Sequence, residues 1–173
     1  MNNKIPIAKI GKSHGLKGWQ KLHFLTDFPE QFKPGREFSS DKTTLTIEKV
    51  DLKRNLVKFK GIESIDDAKK LTNRMLYATP EETRENVKLK EGEYFWFDII
   101  GCDVFENDKK LGKVKEIERA DIDYLVINTD ENLINEGYPK RFLINFKRNV
   151  KDVDIENKKI TANGAIDILD SLK

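Results

Sequence analysis

The run TPEETRENVKLKEG at residues 79–92, passing into EYFWFDIIG at residues 93–101, decides how the 173-residue chain is organised. From Pro80 to Asn86 the residues are polar and charged, and apolar periodicity is almost absent until Val87 and Leu89, which is the composition of a connection between domains. Four aromatics follow in a row: Tyr94, Phe95, Trp96 and Phe97. They cannot all point inward, because neighbours alternate sides in an extended segment and splay around the axis of a helical turn. Two uses are open to those left outside a core. Exposed Tyr and Trp can anchor a partner, bringing large rigid area with a polar tip, or the aromatics can plug the junction of two domains.

On both sides of this run short segments of period two dominate. Upstream they are Ile5 and Ile7 with Lys9, Leu22 and Phe24, Leu45 and Ile47 with Glu48, and Leu56, Val57 and Phe59. Gly11, Gly15, Gly18, Gly35 and Gly61 punctuate them, as suits a small closed barrel. Two helical turns interrupt the pattern. Asp27, Phe28, Pro29 and Glu30 have the order of an N-cap, an early proline and an N3 acid. Ser64 and Asp67 offer a second cap, with Ile65, Ala68 and Leu71 on one helical face before a strand at Met75–Ala78. Downstream, strands are expected at Cys102–Phe105, Leu111–Ile117, Tyr124–Asn128, Phe142–Phe146, Val153–Ile155 and Ile160–Ala162, with a turn at Asn107 and Asp108. Asn132–Pro139 reads as a long mobile loop and Ala165–Leu172 as one frayed helical turn. The expected fold is mainly β: two small β-barrels at residues 1–80 and 93–170, joined by a linker at 81–92.

The chain is 38% hydrophobic and 36% charged, enough for one or two modest cores beneath a heavily solvated surface. No stretch approaches the roughly 18 apolar residues of a membrane span, and Met1–Lys12 lacks the apolar region of a signal peptide, so a cytoplasmic location is expected. Cys102 is the single cysteine, which excludes an internal disulfide and a cysteine-based zinc cage and suits a small buried strand residue. The net charge of +2 hides an asymmetry: residues 1–91 hold 19 Lys and Arg against 13 Asp and Glu, whereas residues 92–173 hold 13 against 17. Each half can therefore prefer a different partner. Lys4, Lys9, Lys12, Lys17 and Lys21 fall in the first 21 residues, which contain no acid at all; a solvated, lysine-rich strand face is the plainer account of them.

Parts for catalysis are few. Of the two histidines, His23 alternates with Leu22 and Phe24 in a strand, and His14 sits beside Ser13 on a glycine-bearing turn. Adjacent turn residues do not readily make a nucleophile-to-base hydrogen bond. The glycines at 11, 15 and 18 match neither phosphate-binding fingerprint, and no carboxylates stand at metal-ligand spacing from His14. The expectation is a protein that works by binding, with no enzyme activity, metal or cofactor.

Three segments carry a resemblance that spans essentially the whole chain. IAKIGKSHGLKG at residues 7–18, followed by TDFPE at 26–30, is similar to the opening strand, HGLxG turn and TDxPE segment of the RimM family of ribosome maturation factors. Val57–Gly61 with Asp67, Ala68 and Leu71 resembles that family's middle pattern. Tyr94, Phe95, Trp96, Asp98, Ile100 and Gly101, then Leu111–Val114, resemble its YYWxDLIG entry into a PRC barrel, and Leu143–Phe146 and Val153–Ile160 fit the closing strands. The resemblance implies a translation-factor-like N-terminal barrel, a C-terminal PRC barrel, and a non-catalytic, monomeric assembly chaperone supporting 16S ribosomal RNA maturation. It implies the immature small subunit and its ribosomal protein S-nineteen as partners, the latter held by an aromatic pair that maps onto Tyr94 and Phe95, with Trp96 beside them. Lys12, His14, Lys17 and Lys21 are the matching candidates for ribosomal RNA. The chain departs from the family at Phe95, which lacks the second tyrosine's hydroxyl, at Phe97, where a polar residue is frequent, and at Ala8 and Asn73, which replace common glycines.

Overall fold

A computed structural model describes residues 4–173 and divides the chain into two compact units, one ending at Leu89 and one running from Lys90 to Lys173. The first is built from β1 (Ile5–Ser13), β2 (Gln20–Phe24), β3 (Glu37–Ser40), β4 (Thr43–Asp51), β5 (Leu56–Phe59) and β6 (Met75–Ala78), closed into a barrel in the order β1-β2-β5-β4-β3-β6. Closure by antiparallel pairing of β1 with β6 leaves no open sheet edge. Alternate residues turn inward, so Ile7, Ile10, Leu22, Ile47, Phe59 and Leu76 fill the barrel, and the Phe32 ring packs at a tilt with its centroid 4.9 Å from that of Phe38 and 5.1 Å from that of Phe24.

Helix α1 (Ile65–Lys69) starts where expected, with the Ser64 hydroxyl accepting from the Asp67 amide at 3.2 Å. The turn at Pro29–Gln31 differs from its expected cap. It is a single 3-10 turn whose cap position falls on Phe28, and the nearby acceptor is Thr26, whose hydroxyl takes the Phe28 amide at 3.1 Å and the Gln31 side chain at 3.2 Å. Asn73 has φ of 73°, a left-handed conformation that asparagine tolerates better than most residues, which suits it to a position where the resemblance leads one to expect glycine.

Part of the polar run after β6 is helical: α2 covers Pro80–Asn86. Its sequence lacks an apolar stripe, yet Thr79 and Glu82 form a reciprocal capping box, side chain to amide in both directions at 3.1 and 3.0 Å, and Pro80 presets the first turn. Thr83 is its buried residue, and Val87 is buried at its C-cap.

The second unit opens with α3 (Trp96–Ile99), then β7 (Asp103–Glu106), β8 (Lys109–Arg119), β9 (Asp123–Thr129), α4 (Glu131–Asn135), β10 (Arg141–Asn145), α5 (Phe146–Asn149), β11 (Val150–Asp154), β12 (Lys159–Ala162) and α6 (Ala165–Leu172). The strands form one curled six-stranded sheet in the order β10-β9-β8-β7-β12-β11, antiparallel except where β12 joins β7. The core comprises Ile99, Val104, Leu111, Leu125, Ile127, Phe142, Ile144 and Ile160. Asn107 and Asp108, at φ of 51° and 62°, make the tight turn between β7 and β8 that their residue types suggested. Gly112 allows β8 to approach β9 closely, since an added Cβ would lie 2.1 Å from the Asn128 carbonyl oxygen.

Two readings are corrected here. Asn132–Pro139 is no extended loop, because α4 begins at Glu131 with the Asp130 carboxylate accepting the Asn132 amide, and Leu133 is buried. The tail is a two-turn helix rather than a frayed turn. Glu106 on β7 accepts its first amides, Ala165 at 2.7 Å and Ile166 at 3.3 Å, while Ala165 and Leu169 enter the core. That acceptor lies 59 residues upstream of Ala165, beyond the reach of local pattern.

Candidate functional site

The first candidate surface is the connection from β1 to β2. A register shift between Ile10 and Ser13 bulges β1. The buried Gln20 side chain fixes the bulge from beneath, donating to the Gly11 carbonyl at 3.3 Å and to the Ala68 carbonyl of α1 at 2.7 Å. His14 N–H closes the loop on the Trp19 carbonyl at 2.7 Å. Gly18 is required twice over: its φ is +93°, and a Cβ there would lie 2.0 Å from the Ile62 carbonyl oxygen. Gly15, at φ +73°, has open space around it. Leu16 at the loop tip is 76% exposed.

This frame leaves Lys12, His14, Lys17 and Lys21 all exposed. Two of them converge on a residue that sequence reading did not select. Arg54, in the β4–β5 turn, places Nη2 3.1 Å from His14 Nε2, and Lys21 Nζ donates to the Arg54 carbonyl at 3.0 Å. Arginine can only donate, so the imidazole nitrogen accepts. The turn itself is held by the Asp51 carboxylate, which accepts the Arg54 amide at 3.2 Å, and by Asn55 at φ 54°. His14, Trp19, Asp51, Arg54 and Leu56 line a cleft of about 240 Å3, and a more open hollow of about 690 Å3 adjoins Trp19, Pro34 and residues 49–53. The only available sequence signal for Arg54 was the Lys53-Arg54-Asn55 turn composition, which does not say what the turn faces.

The second candidate surface is the aromatic run. Tyr94 is half-buried, its ring edge-on to Phe146 of α5 at 6.3 Å. Phe95 is 5% exposed and stacks on Phe97 with centroids 5.1 Å apart and 13° between planes. Trp96 and Phe97 are half-buried and meet edge to face at 5.9 Å. The helical turn α3 turns these side chains around its axis, and Lys158 caps it, donating to the Asp98 carbonyl at 3.0 Å. Cys102, fully buried just after α3, donates to the same carbonyl at 3.2 Å, and burial pushes its thiol pKa up, away from nucleophile chemistry.

Among the described residues no three His, Cys, Asp or Glu side chains gather as metal ligands, and no helix is long and apolar enough to cross a membrane. An ion pair with one buried partner, Lys58, lies elsewhere, on the β4–β5 wall of the barrel. There Lys58 donates to Glu48 and, at 3.1 Å, to Glu63, and this pairing lowers the Glu48 pKa and raises that of Lys58. It supports the barrel wall and touches neither candidate surface.

Comparison with known proteins follows the same division. Residues 5–83 match the RimM N-terminal domain and residues 91–167 the PRC-barrel domain. The ribosome maturation factor RimM of Nitratiruptor sp. is 49% identical over 170 residues, covering 97% of this chain and 98% of that one. The protein of the same name from Aliarcobacter butzleri is 47% identical over 175 residues, covering 99% and 98%. A solved structure of a 16S ribosomal RNA processing protein RimM from Pseudomonas aeruginosa covers 92% of this chain and 96% of its own at 15% identity and a TM-score of 0.41, a likeness too loose to inform the fold. With two curated relatives near half identity across almost their full length, the chain belongs to the RimM family of ribosome maturation factors.

Proposed function

We propose that the protein acts as a binding-only assembly chaperone for the head of the immature small ribosomal subunit. The first unit meets 16S ribosomal RNA, and the second holds ribosomal protein S-nineteen. The observation that carries this reading is the opposed charge of the two halves: the exposed cations of the β1–β2 loop and Arg54 stand on the net basic half, while the aromatic turn opens the net acidic half. Cations on a rigid loop suit phosphates, which position without reading sequence. An acidic surface with an aromatic anchor suits a basic ribosomal protein.

The half-buried Tyr94 and Trp96 supply the accessible part of that anchor, while the buried Phe95 stacks on Phe97. This reading asks no chemistry of His14, whose imidazole nitrogen accepts from Arg54. The protein works as a cytoplasmic monomer without cofactor. The test is incubation of purified protein with precursor 16S RNA and, separately, with immature small subunits. Binding to the subunits with no cleavage or modification of the RNA is expected. RNA turnover that disappears in His14→Ala would replace this reading with an enzymatic one.

A further inference from the structure

Trp19 is a half-buried indole that is not among the side chains packed on the barrel core, and it adjoins open space in two hollows. The smaller is lined by His14, Asp51, Arg54 and Leu56 beside Trp19. Its volume of about 240 Å3 suits one planar ring system and excludes a paired duplex. Arg54 is already oriented there by the His14 contact and by Lys21 at its carbonyl. Lys21 at the Arg54 carbonyl and Lys53 in the adjoining hollow are exposed, as are Lys12 and Lys17 of the same β1–β2 connection, and Asp51 is the one acid in the lining.

Aromatic faces flanked by cations are what unstacked bases bind, because every base offers a π-face and every nucleotide a phosphate. We propose that this cleft receives a single unstacked nucleotide of single-stranded RNA, its base against Trp19 and its phosphate at Arg54, with Asp51 as acceptor for a base amino or ribose hydroxyl group. The proposal rests on the reading that the first unit meets ribosomal RNA, and it narrows that contact from duplex backbone to an exposed loop or end. It also accounts for the fixed shape of the loop, since a stacking platform must be held rigid before the base arrives.

The full-length protein is titrated with a short single-stranded oligoribonucleotide carrying 2-aminopurine and with a hairpin duplex of equal phosphate number. The wild type is expected to prefer the single strand and to quench the 2-aminopurine. Trp19→Ala should lose the quench and about tenfold in single-strand affinity with an unchanged salt slope, and Trp19→Phe should keep both. Joint replacement of Lys12, Lys17 and Lys21 by alanine should weaken both RNAs and flatten the salt dependence. If a folded Trp19→Ala binds the single strand as the wild type does while the lysine variant loses affinity, the RNA reading stands and the pocket is wrong. Should Trp19→Ala fail to fold, absence of the quench in the wild type overturns the pocket equally. Binding of neither RNA by the wild type sinks the RNA reading and the pocket with it.

Discussion

The imidazole of His14 and the guanidinium of Arg54, 40 residues apart in sequence, meet at 3.1 Å and tie the β1–β2 loop to the β4–β5 turn. In the proposed RNA contact their roles differ: Arg54 would carry the charge, whereas His14 would orient it. Arg54→Gln should therefore reduce the slope of log affinity against log salt for single-stranded RNA by about 0.7. His14→Gln should weaken binding a few-fold with the slope unchanged. Salt titrations of both variants check this, and equal slope changes would contradict the division of roles.

Gly15 and Gly18 sit in the same loop with left-handed backbones but differ in surroundings. Gly15→Ala meets only the conformational penalty, about 1–2 kcal/mol. Gly18→Ala adds a collision with the Ile62 carbonyl at 2.0 Å, so its cost should be larger and should move the loop. Urea unfolding of the two variants gives the ordering, and a Gly18→Ala protein as stable as Gly15→Ala would mean the loop readily shifts off Ile62.

Within the aromatic run, burial separates support from contact. Phe95→Ala should cost about 3–5 kcal/mol of stability, as truncation of a buried aromatic does. Tyr94→Phe removes only a hydroxyl from a half-buried ring and should leave the melting temperature nearly unchanged. Trp96→Ala should weaken binding of the ribosomal protein by about 2 kcal/mol or more, the scale of an interface hot spot. Calorimetric melting beside titration with purified S-nineteen distinguishes these effects, and a Phe95→Ala protein of normal stability would contradict its supporting role.

The Lys58 pairing makes part of the first unit's stability dependent on acid. Glu48 has a folded pKa below its ordinary 4.5, mainly through the hydrogen bond from Lys58. Its contribution is then fully present above about 4.5 and is lost as pH falls through the lowered folded value. Glu48→Gln should flatten the acid limb of the stability profile without changing RNA affinity near neutral pH. Denaturant unfolding from neutral pH down to the acid transition measures it; an unchanged acid limb would show that the pairing is not coupled to folding.

What could be read in the sequence was whatever depends on neighbours along the chain. Period-two runs marked the strands β1, β2, β4 and β5, Ser64 marked the cap of α1, and Asn107 and Asp108 marked their turn. Helix α2 carried a local signal, the Thr79 and Glu82 capping box, but no apolar stripe to accompany it, and α6 read only as a frayed turn because the acceptor of its first amides, Glu106, comes from a distant strand. The candidate surfaces divide in the same way. Lys12, His14, Lys17 and Lys21 were visible as a run of cations without acids, but Arg54 and the cleft at Trp19 exist only because β5 pairs with β2 and brings the β4–β5 turn beside the loop. The aromatic run announced itself by composition. Which rings were covered was settled by the helical turn α3, whose formation the sequence left open.

The most direct measurement is site-specific photocrosslinking of the protein bound to immature small subunits, with the photoreactive group placed in turn at Lys17 and at Trp96. Binding through two faces predicts 16S RNA attached at position 17 and ribosomal protein S-nineteen at position 96. Crosslinks to RNA from both positions, or to neither target while the protein cofractionates with the subunits, would contradict it.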